Sequence, residues 1–200
     1  MVTLPEIKKD IEQIRQKVSN CKKCNLWKTR SNTVFGEGCI DAKIMFIGEA
    51  PGKNEDKQGL PFVGKAGKIL DELLHTIELE RNQVYICNIL KCRPPKNRNP
   101  KAKEIEKCTP YLDYQISRIK PLIIATLGNF ATLYILEKFG LQKEKIGNIH
   151  GKLFHIKRKN FNATLIPLYH PAAAIYNPNK KSVLIEDFKS IYKALNKPQN

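Results

Sequence analysis

The sequence lacks the stretches that would place it in or across a membrane. It has no run of about 18 apolar residues, and its N-terminus lacks the charged region and apolar stretch of a secretory signal. Acidic residues are scarce, since 19 Asp and Glu stand against 35 Lys and Arg, for a formal net charge of +16. We therefore expect a cytoplasmic protein with no membrane partner, whose basic surface favours nucleic acid.

Internal repeats, low-complexity tracts and linkers are also missing, which predicts one domain over residues 1–200. Short apolar runs alternate with segments of helical periodicity. This alternation predicts an α/β fold, a three-layer α/β/α domain with a mostly parallel central sheet. The predicted strands cover 43–47, 84–90, 122–127, 152–158 and 163–169. The predicted helices cover 3–20, 64–77, 101–119 with a restart at 109–110, 129–139 and 182–195. A polar loop is predicted at 53–59.

The first buried strand ends in a tight turn that carries a carboxylate. The turn reads Gly48-Glu-Ala-Pro-Gly52, so Glu49 follows the apolar run directly. In open α/β sheets, ligands bind at the carboxyl ends of the strands. Glu49 is therefore a candidate site residue, although a solvated glutamate in a simple turn has the same pattern.

Polar residues also stand at the ends of two other predicted strands. Asn88 lies near the end of the second strand and His170 follows the last one, while Phe62 is a candidate aromatic wall. A carboxylate, an amide, an imidazole and an aromatic ring together suit a nucleobase. The alternatives are a structural hydrogen bond for Asn88 and core packing for Phe62. His150 and His155 compete for the histidine role.

The cysteine pattern indicates a metal site. Of six cysteines, four combine a C-x2-C pair with two later residues, and these are Cys21, Cys24, Cys92 and Cys108. Four thiolates can hold zinc or an iron–sulfur cluster, and the spacing alone does not choose between them; scattered core cysteines are the alternative. A metal site would tie helix 3–20 to the helix after the second strand. Cys39 and Cys87 are expected to be buried thiols.

Five motifs and the cysteines occur in an order that resembles the family 4 uracil-DNA glycosylases. The motifs are Gly48-Glu-Ala-Pro-Gly52, Pro61-Phe-Val-Gly-x-Ala-Gly67, Asn88-Ile-Leu-Lys-Cys-Arg-Pro-Pro95, Thr126-Leu-Gly128 and His170-Pro-Ala-Ala173. The resemblance implies a uracil-DNA glycosylase-like fold and a monofunctional glycosylase that removes uracil from DNA. It also implies one [4Fe-4S] cluster on Cys21, Cys24, Cys92 and Cys108.

The resemblance further implies a role for each site residue. Phe62 would stack on uracil, Asn88 would bind its polar edge, and the backbone of Gly48 and Glu49 would line the pocket. Glu49 would act on the water or the sugar cation, and His170 would stabilise negative charge on the leaving base. The loop after His170 would press into the DNA. The partner is then uracil-containing DNA, bound by a monomer, and a contact with a replication clamp is left open.

Two other function classes are consistent with part of this evidence. A non-enzymatic nucleic-acid binder with a structural four-thiolate site would need the charge and the cysteines but not Glu49, Asn88 and His170 together. An electron-transfer iron–sulfur protein would need only the cysteines. Neither alternative explains why three different polar groups stand at strand ends.

Overall fold

The fold is built on one six-stranded sheet. The structure, a computed structural model, describes residues 3–196. In chain order the strands are β1 (Glu37–Gly38), β2 (Ile44–Gly48), β3 (Tyr85–Asn88), β4 (Ile123–Leu127), β5 (Phe154–Arg158) and β6 (Phe161–Leu168). Their order across the sheet is β1-β3-β2-β4-β6-β5. The four central strands are parallel and the two edge strands antiparallel, which confirms the predicted mostly parallel sheet.

Helices cover both faces of this sheet. They are α1 (Leu4–Ser19), α2 (Lys53–Gln58), α3 (Lys65–His75), α4 (Ala102–Ile119), α5 (Asn129–Lys138), α6 (Ile146–Ile149), α7 (Ala173–Tyr176) and α8 (Asn179–Leu195). Side chains of β2 alternate between two cores: Met45 and Ile47 pack with α1, α4 and α5, and Ile44 and Phe46 pack with α3 and α8. The predicted α/β/α layering is therefore confirmed. Within residues 3–196, no helix combines the length and apolarity that a membrane crossing requires.

The N-terminal helix α1 matches its prediction closely. The Glu6 carboxylate accepts the Thr3 backbone N–H at 2.8 Å and the Thr3 hydroxyl at 2.9 Å, which satisfies donors at the start of the helix. Ile11 and Val18 are buried in the core shared with α4. Burial of this apolar stripe attaches α1 to the rest of the described chain.

The predicted polar loop at 53–59 is wrong, because residues Lys53–Gln58 form the helix α2. This helix has no apolar face, so hydrophobic periodicity did not indicate it. Its carboxylates hold it instead: buried Asp56 accepts the backbone N–H of Ser31 at 3.0 Å, and Glu55 accepts that of Gly52 at 3.1 Å. Hydrogen bonds from flanking loops thus replace the usual apolar stripe.

The predicted restart at 109–110 is also wrong. The helix α4 continues through Pro110, although proline cannot donate the hydrogen bond that its position would make. Pro110 and Glu106 lie on the exposed side of the helix, so water reaches the carbonyl that proline leaves unpaired. Buried neighbours on the opposite side, including Leu112, keep the helix in place.

Candidate active site

A cleft opens at the carboxyl end of the parallel strands. It contains about 1210 Å³ of space between atoms, part of it open to solvent. Glu49, Phe62, Asn88 and His170 all line it, so the structure brings together four of the five predicted site residues. Glu49 follows β2, Asn88 ends β3 on one side of β2, and His170 follows β6 on the other side. Open α/β sheets bind ligands at such switch points, where the chain connections lead to opposite sides.

Gly48, the fifth predicted residue, does not line the cleft but lies directly beside two residues that do. It pairs with Asn88 across the parallel strands β2 and β3. A Cβ atom on Gly48 would lie 2.3 Å from Asn88 Oδ1 and 2.7 Å from Phe62 Cζ. Only glycine therefore allows the amide and the aromatic ring to approach the same point of the backbone.

The Asn88 side chain is buried but available to a ligand. Only 2% of the residue is exposed, and among residues 3–196 its amide makes no hydrogen bond. The structural hydrogen bond considered from the sequence is therefore not found. No buried side-chain nitrogen or oxygen in the described part of the chain lacks a hydrogen-bond partner, so solvent reaches the Asn88 amide from the cleft. A ligand with complementary donors and acceptors can take the place of that solvent.

Phe62 is held in an unusual backbone conformation. Its φ is 52°, a value that non-glycine residues rarely adopt. Arg81, a residue the sequence did not single out, donates to the Phe62 carbonyl at 3.0 Å and to the Pro61 carbonyl at 2.6 Å. A Cβ on Gly67 would lie 1.7 Å from the Phe62 carbonyl oxygen, so only glycine fits there. These contacts aim the Phe62 ring into the cleft, where its centroid lies 5.6 Å from that of His170.

A second carboxylate, Glu55, organises the entrance loops. One oxygen accepts the backbone N–H groups of Val63 and Gly64 at 2.9 and 2.8 Å, and the other accepts that of Gly52. Glu55 thereby joins the turn after β2 to the loop that carries Phe62. The capping pattern Gly52-x-x-Glu55 would have indicated this residue, had 53–59 been predicted as a helix.

Glu49 stands at the cleft with its carboxylate partly desolvated. Burial raises the pKa of this carboxyl group. Its backbone is fixed, because the Glu49 carbonyl accepts the Leu90 N–H at 3.0 Å and so extends the β2–β3 ladder. A carboxylate of raised basicity in a cleft is suited to accept a proton or to stabilise a cation.

His170 is neutral and has a defined tautomer. Burial lowers the pKa of His170 to about 4, and nearby Glu55 opposes that shift. The Ala172 backbone N–H donates to His170 Nδ1 at 3.1 Å, so Nδ1 is the unprotonated nitrogen and Nε2 carries the proton. His170 can therefore donate a hydrogen bond from Nε2 at neutral pH.

The other candidate histidines lie elsewhere. His150 contacts Asp187 of α8 through Nδ1 at 2.9 Å, and His155 is exposed on the edge strand β5.

Of the cations near the cleft, Arg98 is paired with Glu104 at 2.6 Å. Lys53, Lys65 and Lys96 are exposed, and they keep their charge available for phosphate groups.

The four predicted metal-ligand cysteines line one separate cavity. Cys21, Cys24, Cys92 and Cys108 border about 290 Å³ of space between atoms, part of it open to solvent, together with Arg30. Two donors reach the sulfurs: Arg30 Nη1 lies 3.1 Å from Cys92 Sγ, and the Lys91 backbone N–H lies 3.2 Å from Cys108 Sγ. As placed, no three His, Cys, Asp or Glu side chains in residues 3–196 could hold a metal ion.

The remaining two cysteines take no part in that cavity. Cys87 is buried within β3, as expected, whereas Cys39 is only partly buried and donates to Asp41 at 2.6 Å.

Burial raises the pKa of Cys108 to about 12. The Cys108 thiol is therefore protonated at neutral pH unless a metal ion binds it.

Comparison with known proteins agrees with the geometry of the cleft. The model of the uracil DNA glycosylase superfamily matches residues 35–195. A type-4 uracil-DNA glycosylase of Sulfurisphaera tokodaii is 53% identical to this chain, over 90% of the chain and 83% of the relative. Those of Saccharolobus solfataricus and Archaeoglobus fulgidus are 49% and 44% identical, over 93% and 94% of the chain and 87% and 95% of the relatives. The chain therefore belongs to the uracil-DNA glycosylase superfamily and, within it, to the type-4 family.

Proposed function

We propose that this protein is a uracil-DNA glycosylase that hydrolyses the bond between uracil and deoxyribose in DNA. The product is an abasic site, with which base excision repair begins. The observation that carries the proposal is the convergence of Glu49, Phe62, Asn88 and His170 on one cleft, in a chain of the type-4 family. The deaminated cytosine must leave the base stack to reach such a cleft, and unstacking costs about a few kcal/mol.

Binding of the flipped base is assigned to three residues. The Phe62 ring stacks on uracil, and its strained backbone, fixed by Arg81, keeps the ring in place before the base arrives. The Asn88 amide, which lacks an internal partner, binds the polar edge of uracil. Gly48 leaves the room that both groups need. Hydrogen bonds to the polar edge select uracil over a base that lacks the matching groups.

Bond cleavage is assigned to Glu49 and His170. The electron pair of the glycosidic bond leaves with uracil, and negative charge develops on its O2 oxygen. The Nε2–H of neutral His170 stabilises that charge. Glu49 stabilises the positive charge on the sugar or takes a proton from the water that adds to C1′.

The surface around the cleft supports binding of the DNA backbone. Exposed Lys53, Lys65 and Lys96 stand near its mouth, and contacts to phosphate make binding weaker as salt rises. The loop after His170 forms one rim, where Tyr176 is 86% exposed. That loop presses into the duplex at the place that the base has left. The residues that line the cleft all come from one chain, so the proposed activity does not require a second copy.

The first experiment compares matched oligonucleotides that carry uracil or thymine at one position. We expect release of free uracil and an alkali-labile abasic site from the first and neither product from the second. DNA binding without release of uracil would contradict the proposal. It would favour the alternative of a nucleic-acid-binding protein with a structural thiolate site.

We also propose that Cys21, Cys24, Cys92 and Cys108 hold one [4Fe-4S] cluster. Four thiols around a single cavity, two of which accept N–H donors, are the donor set that such a cluster needs. Four thiolates would also hold zinc, and the cluster is favoured because the order of the four cysteines resembles that of the family 4 uracil-DNA glycosylases. When bound, the cluster is a structural link between α1 and α4.

All six cysteines are free thiols, which supports a reducing compartment, the cytoplasm.

Removal of one ligand tests the cluster. We expect Cys108→Ser to lose iron and visible colour and to lower the melting temperature by more than about 5 °C, because a structural metal site contributes folding free energy. Cys39→Ser is the matched control and keeps both properties. Zinc in place of iron would contradict the assignment. Reversible reduction at an ordinary cytosolic potential would favour the electron-transfer alternative.

A further inference from the structure

A buried lysine connects the cysteine cavity to the base-binding residue. Lys91 is only 1% exposed, yet its ammonium donates to the Asn88 carbonyl at 2.8 Å and to Gln115 Oε1 at 2.7 Å. Its own backbone N–H donates to Cys108 Sγ. One residue therefore contacts both the end of β3 and the wall of the cysteine cavity.

The second partner of this lysine is itself fixed. Gln115 of α4 is fully buried, and its Nε2 donates to the Phe35 carbonyl at 3.0 Å and to the Tyr85 hydroxyl at 2.9 Å. Every side chain in this network is thus held by at least one other element of the fold. A buried hydrogen-bonded network that is held at several points has little freedom to move, so its members keep fixed positions.

The charge of Lys91 is unusual for its surroundings. No carboxylate among residues 3–196 makes a salt bridge with it, and the groups that face it are Cys87 of β3 and Cys108 of α4. Burial of an ammonium is expensive, and here two hydrogen bonds and the Phe35 ring, whose centroid lies 5.9 Å from Lys91 Nζ, offset part of that cost. The hydrogen bond to the Asn88 carbonyl is the contact that reaches the cleft.

We propose that Lys91 is a positioning residue for uracil recognition, an inference that rests on the proposed function. Its ammonium holds the Asn88 carbonyl and thereby fixes the direction of the Asn88 amide above Gly48. The same residue is anchored at Cys108, so the cysteine site holds the end of β3 in register with the cleft. The structural site thus supports the reactive one through a single residue, whose backbone contacts Cys108 and whose side chain contacts Asn88.

The test is a double-mutant cycle on uracil release measured in a single turnover. We expect Lys91→Met to slow release by about 10- to 100-fold, since small displacements of binding groups carry penalties of that size. Asn88→Ala slows release as well, and the double variant is expected to be no slower than Asn88→Ala alone. Iron content and the affinity for uracil-free DNA are expected to match those of the unmodified protein.

Two variants complete the design. Thr109→Val removes a buried hydroxyl from α4 that bonds neither Lys91 nor Asn88, and its release rate is expected to be unchanged. If Lys91→Met does not fold or loses iron, Gln115→Leu removes the other end of the network and takes its place in the cycle. Additive effects, or a normal rate in Lys91→Met, would overturn the inference. Absence of release by the unmodified protein would instead overturn the proposed function.

Discussion

Replacing His170 with Ala is expected to slow uracil release by about 10²- to 10³-fold, the usual loss for one donor to a developing oxyanion. The affinity for uracil-free DNA should change little, because the ring lies inside the cleft and not on the basic surface. Single-turnover release and binding measured at the same salt concentration check both statements. His155→Ala is the matched control, since that histidine is exposed on β5.

The pH dependence separates this role from that of a charged histidine. Burial holds the pKa of His170 at about 4, so the neutral donor is present throughout about pH 5 to 8. His170 should therefore cause no change in rate across that range, and a fall with a midpoint near 6.5 that disappears in His170→Ala would refute the assignment. The unfolded chain binds this proton at higher pH than the folded chain. The free energy of unfolding consequently falls as the pH drops from 6.5 towards 4.

Replacing Glu49 with Gln is expected to slow uracil release by about 10²- to 10⁴-fold, as for loss of a general base. The amide keeps the shape of the side chain but cannot take a proton or carry the charge that stabilises an oxocarbenium-like sugar. Binding to uracil-containing DNA should stay within a few-fold of the original, because the change is nearly isosteric. Glu12→Gln, on the exposed face of α1, controls for the loss of one negative charge.

Glu49 should also set the acid limb of the pH profile. Burial raises the pKa of its carboxyl group above the ordinary value of 4.5, so the active carboxylate is lost at a higher pH than for a solvated glutamate. The rate is expected to fall with decreasing pH with a midpoint above 4.5. The Glu49→Gln variant should show no such limb. An unchanged limb in the variant would assign the titration to another group.

The sequence predicted the strands of the cleft well because their ends combine apolar runs with single polar residues. Glu49, Asn88 and His170 interrupt those patterns, and the sheet brings all three to one edge. Periodicity could not find α2, since carboxylate hydrogen bonds hold that helix in place of an apolar face. For the same reason Glu55 was missed.

Residues that act through long-range contacts were hidden for a different reason. Arg81 and Lys91 look like ordinary surface cations in the sequence, and only the fold shows that they bond the carbonyls of Phe62 and Asn88. Their roles depend on which backbone oxygen lies nearby. That information exists in the three-dimensional arrangement and in no local pattern.

The parallel pairing of the central strands has a consequence for how the protein matures. Gly48 pairs with Asn88, and Leu127 pairs with Leu168, so each contact joins segments that are far apart along the chain. Closing such loops precedes any gain from pairing, which makes folding comparatively slow. During synthesis, Glu49 and Asn88 emerge long before His170. Until His170 has emerged, the chain therefore has no complete base pocket, and uracil recognition begins only when β6 docks beside β4.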